Sequence, residues 1–428
     1  MKRILLWAVL TSIALAPAAF AAVSDEDFAE LREQLEAISA RLEELAAENA
    51  ELRASQNQAD AAISQVETAV SEIPVDSESW PDRIKLDGDF RYRFESIDLV
   101  GSDVRTRNRI RARTNIKAQV TDNIDVGFGL ATGGDDPVST NQTLGGGGSS
   151  KDVKLNLAYV DWQATDGLHL VAGKFKNPLT RVGGQALVWD GDWTPEGLAL
   201  KYQRDWLFVS AIGTYLEGDS KKSNDNFSWG GQVGASFNVG NAMLTGGIGY
   251  YSMPTKGAST NFGDPTDPDD FFGNTAVEAS GAACGTTADT ICVFVYDYNL
   301  TQAFAEASFD IGDWPVLVFF DYVNNSDPTD NNTGWLLGTK LGQARDRGQI
   351  QLAYVYADRE ADSMLGMLTD SDFGGGGTDS KGHWLQFNYG VNKSWTIGAQ
   401  YYINEVDLAS GSNSDFNRLM IDMQWKWK

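Results

Sequence analysis

Ile84-Lys85-Leu86-Asp87-Gly88-Asp89-Phe90-Arg91-Tyr92-Arg93-Phe94-Glu95 decides the fold. Successive side chains of a strand point to opposite faces. One face then carries Leu86, Phe90, Tyr92 and Phe94, with Gly88; the other carries Lys85, Asp87, Asp89, Arg91, Arg93 and Glu95. Aromatic rings opposite a fully charged face suit a wall between lipid and water. A soluble sandwich does not present aromatics beside so many charges.

The same alternation continues to the end of the chain. Further strands are expected near 106–120, 122–133, 152–163, 166–175, 196–203, 205–216, 227–239 and 241–252. They continue near 291–309, 313–325, 333–341, 346–360, 380–391, 394–405 and 416–427. Tight turns fall at Thr121-Asp122-Asn123, Thr165-Asp166-Gly167, Gln203-Arg204-Asp205, Gly240-Asn241, Gly312-Asp313 and Asn392-Lys393. These are Asn, Asp and Gly positions, as hairpins require. Long connections lie between them, at 134–151, 176–195, 217–226, 253–290, 326–332, 361–379 and 406–415. Short and long alternate, so one closed all-β transmembrane barrel of about 16 antiparallel strands is expected over 84–428, with two unlike ends. An even count puts both barrel ends on the periplasmic side. In the last strand Leu419, Ile421, Met423, Trp425 and Trp427 share one face, against Arg418, Asp422, Gln424 and Lys426. Trp162, Trp206, Trp314, Trp395 and Tyr401 are expected near strand ends, as an aromatic girdle.

Upstream, Met1-Lys2-Arg3, an apolar run from Ile4 to Ala16 and Ala19-Phe20-Ala21 read as a signal peptide over 1–21, too short for a membrane anchor. From 22 to 74 the apolar positions step by three and four. Phe28, Leu35, Leu42, Asn49, Gln56, Ile63 and Val70 fall at a; Leu31, Ile38, Leu45, Leu52, Ala59, Val66 and Ile73 fall at d. This strict heptad predicts an α-helical coiled coil in the periplasm, roughly 70 Å long at 1.5 Å per residue, rather than a single packed helix. β-branched residues in the last heptads favour three strands; Asn49 alone favours two. A homotrimer is expected. Pro74 ends the coil, and residues 75–83 are a linker.

The net charge is −25, or −27 without Lys2 and Arg3, which excludes nucleic acid as a partner. Cys284 and Cys292, with seven residues between them, are expected to form a loop disulfide in an exported protein; neither a metal site nor a cofactor is expected.

The segment Leu168-His169-Leu170-Val171-Ala172-Gly173-Lys174-Phe175-Lys176-Asn177-Pro178, preceded by Ala158-Tyr159-Val160-Asp161-Trp162, resembles the Gram-negative putative-porin family, which is similar to the phosphate-selective porins O and P. The resemblance covers nearly the whole chain. It implies a trimeric outer-membrane diffusion channel with its third external loop folded into the lumen. The end of the chain departs from the pattern: porins close on an aromatic residue, and this chain closes on Trp427-Lys428.

Arg105, Arg107, Arg109, Arg111 and Arg113 recur every second residue, so they share one strand face, and Arg91 and Arg93 share the lumen face of the preceding strand. Such a column must line water, where it would attract anions. The other reading is neutralisation by Asp87, Asp89 and Glu95. Residues 176–195 occupy the place of the constriction loop in the resemblance. Arg181, Asp190 and Asp192 lie within it, Lys174 and Lys176 at its base; Asp190 and Asp192 would face the arginines across the pore. Otherwise it is a surface loop. The glycine runs 145–148 and 374–377 read as external loop tips. The stretch Asp264 to Asp270 reads as a solvated acidic loop rather than a cation site in the lipopolysaccharide layer.

A water-filled pore for small hydrophilic solutes, with an anion preference, is therefore the expected function. A tether to peptidoglycan through the coil is the alternative. An outer-membrane enzyme is a distant third, because the two histidines, His169 and His383, lack an identifiable serine and carboxylate partner set.

Overall fold

The computed structural model describes residues 80–428, except 219–220 and 222–224, and helical residues between 33 and 64, unbroken over 43–48 and 50–58. The chain divides into two units, 1–79 and 80–428. In the first, Leu45, Leu52 and Gln56 fall on the helix and are exposed. Arg41 pairs with Glu44 one turn on. The signal segment 1–21 and the seam residues Phe28, Leu31, Leu35, Ile38, Leu42, Asn49, Ala59, Ile63, Val66, Val70 and Ile73 lie outside the described residues.

In the second unit a 3-10 turn, Trp80–Arg83, occupies the end of the expected linker and leads into sixteen long antiparallel strands. These are β1 (Ile84–Leu99), β2 (Arg105–Thr121), β3 (Ile124–Thr132), β4 (Val153–Thr165), β5 (Leu168–Lys174), β6 (Glu196–Arg204), β7 (Leu207–Glu217) and β8 (Asn226–Val239). The ring continues through β9 (Ala242–Met253), β10 (Tyr298–Ile311), β11 (Trp314–Asn325), β12 (Thr333–Gly342), β13 (Ile350–Arg359), β14 (Ser380–Asn392), β15 (Trp395–Val406) and β16 (Ser414–Trp427). Each pairs with the next, and β1 pairs with both β2 and β16, with Gly88 opposite Trp427 and Arg93 opposite Asp422. The sheet has no free edge.

Two-residue turns such as Gly240-Asn241 close one end. Gly240, at φ +63°, adopts the left-handed backbone that such a turn needs. The other end carries the long loops. One expected strand is corrected here. The stretch 291–309 does not run unbroken: β10 starts at Tyr298, and Cys292–Phe294 instead pairs with Ala276–Glu278 in a small ribbon inside the loop 254–297. The same loop carries the Cys284–Cys292 disulfide, with Cα atoms 5.6 Å apart.

Apolar side chains cover the outside of the barrel; Leu86 is 52% exposed and Ile248 61%. At the short-turn end Trp395 stacks on Trp425 at 5.5 Å, and Trp162, Trp206 and Trp314 are exposed at or beside the short turns of their own hairpins. At the loop end Tyr215 meets Phe227 at 5.0 Å and Trp229 meets Tyr250 at 5.7 Å. Tyr401 is not a girdle residue: it lies mid-strand in β15, between Leu385 and Leu419.

The dry core lies inside the barrel. Loops 175–195, 254–297 and 360–379 fold inward and bury Leu187, Trp189, Phe271, Met364, Leu365 and Leu368 against inward residues such as Tyr251, Leu300 and Phe319. Burying each such side chain contributes about 1.5–3 kcal/mol. Hydrogen bonds lock the three loops together. The Thr369 hydroxyl donates towards Ala186 O at 2.8 Å, Asp190 N donates to Leu368 O at 2.8 Å, and Asn274 Nδ2 donates to Ala361 O at 2.7 Å. The glycine run 374–377 is therefore not an external tip. A Cβ on Gly377 would sit 2.2 Å from Phe272 O, so only glycine fits this close approach, at φ +90°. Gly145 to Gly148 are exposed.

Candidate functional site

Opposite the dry plug, β1, β2 and β16 present a wall of arginines. Alternation puts Arg107, Arg109, Arg111 and Arg113 of β2 on the inner face, beside Arg91 and Arg93 of β1 and Arg418 of β16. Arg105, at the loop end of β2, is exposed and outside this cluster. Carboxylates are interleaved. Asp89 Oδ1 accepts from Arg113 at 2.6 Å and Asp89 Oδ2 from Arg111 at 2.8 Å. Glu95, fully buried, pairs with Arg107 and Arg418, with Arg109 at 3.9 Å. Arg93 grips Asp422 through both carboxylate oxygens, at 2.7 and 2.8 Å. Asp87 takes no arginine and accepts from Asn115 at 2.8 Å.

Two infolded loops supply the remaining counter-charges. Asp192 accepts from Arg113 at 2.7 Å and lies 3.7 Å from Arg111. Burial alone would raise its carboxyl, but Arg111 and Arg113 outweigh that and hold it low. Asp372, from the loop 360–379, reaches Arg93 at 3.1 Å and Arg418 at 2.9 Å. Burial opposes its charge, yet Arg418, Arg93 and Arg91 hold it well below the usual carboxylate range. Asp190 makes no ion pair with the arginine wall within 4.0 Å among the described residues. Its Oδ1 accepts from Asp192 N at 2.7 Å, and burial followed by the nearby Asp192 charge pushes its carboxyl well up.

Within 4.0 Å, seven guanidiniums (Arg91, Arg93, Arg107, Arg109, Arg111, Arg113, Arg418) meet five carboxylates (Asp89, Glu95, Asp192, Asp372, Asp422). Arg91 and Arg109 are the least compensated, 4.0 Å from Asp422 and 3.9 Å from Glu95.

Two open spaces border the infolded loops. A larger cavity of about 1050 Å³ opens at the short-turn end and is lined by charges of both signs, among them Lys85, Arg113 and Lys176 and Asp87, Asp89 and Asp192. A smaller one of about 290 Å³ lies against β12, β13, β14 and β15. Arg181, Asp190 and Gly191 line both. Gly191 leaves room for the guanidinium, since a Cβ there would come within 2.9 Å of Arg181 Nη1. Lys174, at the base of the loop, is held by Glu196 at 2.7 Å and does not join this group.

Sequence reasoning missed Arg418, Asp422, Asp372, Arg359 and Lys340. The first two show a signal in hindsight: both sit on the polar face of the last strand. Among the described residues, no group of His, Cys, Asp and Glu is placed to hold a metal ion. His169 Nδ1 meets Asp161 at 2.8 Å and His383 Nδ1 meets the Tyr354 hydroxyl at 2.9 Å; neither ring meets a serine among the described residues.

Among solved structures, the barrel is similar to OprB of Pseudomonas putida at high pH, with TM-score 0.54 and 11% identity over 81% of this chain and 95% of that one. OmpF of Salmonella typhi, in complex with daunomycin, aligns with TM-score 0.47 and 12% identity over 82% and 100%. At such identities the likeness to OprB shows the fold alone. No curated protein sequence matches the chain. A family model described as putative porin matches residues 100–288 and 288–427. With a family match across most of its length and a closed sixteen-stranded barrel, this chain belongs to the putative porin family, as an outer-membrane channel.

Proposed function

We propose that the channel passes small hydrophilic solutes by passive diffusion and prefers anions. The observation that carries this reading is the charge count of the arginine wall, seven guanidiniums to five carboxylates. Fixed cations beside a narrow wet path raise the local anion concentration. Most of the ladder is bound in ion pairs, so preference should rest on Arg91 and Arg109 rather than on every rung.

Replacing both by Gln is expected to lower the anion-to-cation permeability ratio about two- to threefold in dilute salt. The effect should shrink at 1 M, where the Debye length falls to about 3 Å. Reversal potentials under a salt gradient measure it. An unchanged ratio at low salt, with normal conductance, would show that these arginines are scaffolding.

The N-terminal helix supports a trimer in this reading. Leu45 and Leu52 occupy d positions and are exposed in the single chain, so a seam with two further copies would cover them. Removing residues 23–73 should reduce trimer yield while leaving a conducting barrel, as read by native gels and planar bilayers. Full-length protein that runs as a monomer in mild detergent would overturn the trimer. A barrel silent in bilayers would favour the peptidoglycan tether instead.

A further inference from the structure

We propose that the smaller lumen cavity is a binding site for small organic carboxylates in transit, a reading that rests on the channel function. Three cations from three segments line it: Arg181 from the infolded loop, Lys340 from β12 and Arg359 from β13. Among the described residues, neither the Arg181 nor the Lys340 side chain has a carboxylate within 4.0 Å or a hydrogen-bond partner, although the charge of Glu306 also acts on Lys340. Arg359 is 2% exposed. Its Nη2 donates to Ala186 O at 3.3 Å and lies 3.5 Å from Asp370. Its Nε and Nη1 have no partner. Its guanidinium lies over the Phe373 ring, 4.5 Å from the centroid, and its two unmet donors are buried in the cavity wall, so it offers an anion positive charge that its own hydrogen bonds do not use up.

The geometry favours a planar monoanion. The Arg181 fork, which has no side-chain partner among the described residues, can give a carboxylate two parallel hydrogen bonds that a spherical halide cannot take, while Arg359, whose Nε and Nη1 hydrogens diverge, adds positive charge from the cavity wall. Asp370 and Asp372 line the same cavity, so a doubly charged anion such as phosphate meets more repulsion than a single negative charge. Asp190 opposes an anion less, because burial pushes its carboxyl well up. The rest of the lining fits an organic body. Trp384 and Tyr402 stack with centroids 6.2 Å apart, and Gln386 and Gln400 add amide groups for hydroxyls. The volume, about 290 Å³, lies near the lower limit for small-molecule sites.

The test uses the full-length protein in detergent, titrated calorimetrically with sodium glucuronate, sodium benzoate, glucose and sodium chloride. The same solutes are then added to single channels in planar bilayers. At least one carboxylate should bind saturably and interrupt the current. Preference for glucuronate assigns the body to the glutamines; preference for benzoate assigns it to the aromatic wall. The double variant Arg181→Gln, Lys340→Gln, which breaks no ion pair of the arginine wall, should weaken that binding about tenfold. Carboxylates no better than chloride, glucose as tight as glucuronate, or unchanged binding in the variant would each overturn the site. A channel that conducts normally but ignores carboxylates removes the site and leaves the channel. A silent bilayer removes the channel, and the transit role with it.

Discussion

Glu95→Ala will destabilise the barrel and raise its anion preference together. Glu95 is fully buried and is shared by Arg107 and Arg418, with Arg109 at 3.9 Å. Deleting one member of a buried ion network leaves uncompensated charge and costs about 3–5 kcal/mol. The folded form should therefore convert to the unfolded form at a lower temperature or denaturant concentration. The same change adds one net positive charge to the lumen, so the reversal potential should move toward the anion value. Glu95→Gln separates the two effects, because it keeps the shape and two hydrogen-bonding groups. It should recover part of the stability and none of the charge. If Glu95→Ala shifts neither the unfolding midpoint nor the reversal potential, the arginines do not depend on this carboxylate.

The second large effect is expected at Asp372. This carboxylate ties the loop 360–379 to the wall through Arg93 and Arg418. The loop is also held from behind, by Thr369 on Ala186 and by Asn274 on Ala361 and Met364. Asp372→Ala alone should therefore raise anion preference and current noise. Joined to Thr369→Ala and Asn274→Ala, it should undock the loop and raise single-channel conductance, since each buried partner left unsatisfied costs about 1–3 kcal/mol. Unchanged conductance in the triple variant would mean that apolar burial alone seats the loop.

Acid should not reproduce this. The folded Asp372 carboxyl is held well below its ordinary value, so its contribution is present above that ordinary value and fades only as pH falls through the depressed one. The loop should stay docked in wild-type channels at about pH 3–4, where unperturbed carboxylates gain protons. Conductance against pH is the measurement.

The barrel was legible because its signal is local. Leu86, Phe90 and Tyr92 against Asp89, Arg91 and Arg93 state a two-faced wall within a dozen residues, and Asn, Asp and Gly mark the short turns. What lies inside was much less legible. Ile291-Cys292-Val293-Phe294 reads as a strand start, yet it serves a ribbon in a loop, because apolar β-branched runs suit any buried extended backbone. Gly374 to Gly377 reads as a loop tip, since a glycine needed for close packing looks the same in sequence as one needed for a turn. Neutralisation of the arginines by Asp89 and Glu95 followed from strand adjacency. The partners Asp372 and Asp422 lie 279 and 329 residues from Arg93, beyond any local pattern. Arg359 and Lys340 carry no sequence signal of a site; only the fold brings them to one cavity.

The pairing of β1 with β16 joins the two most distant strands of the barrel, so it is the register that chain connectivity specifies least. Arg93 stands directly opposite Asp422 across it, and Glu95 reaches Arg418. A slip of one residue would turn this charged set toward lipid. A slip of two keeps the faces but sets Arg93 against Met420 or Gln424, which takes away both hydrogen bonds from Asp422. Every wrong closure thus carries an ionic penalty of about 3–5 kcal/mol that the right one avoids. The charges that flank the passage also act as a lock and key for joining the ends of the sheet. Variants that discharge Arg93 and Asp422 together should keep a passable lumen yet close more slowly and with mixed registers.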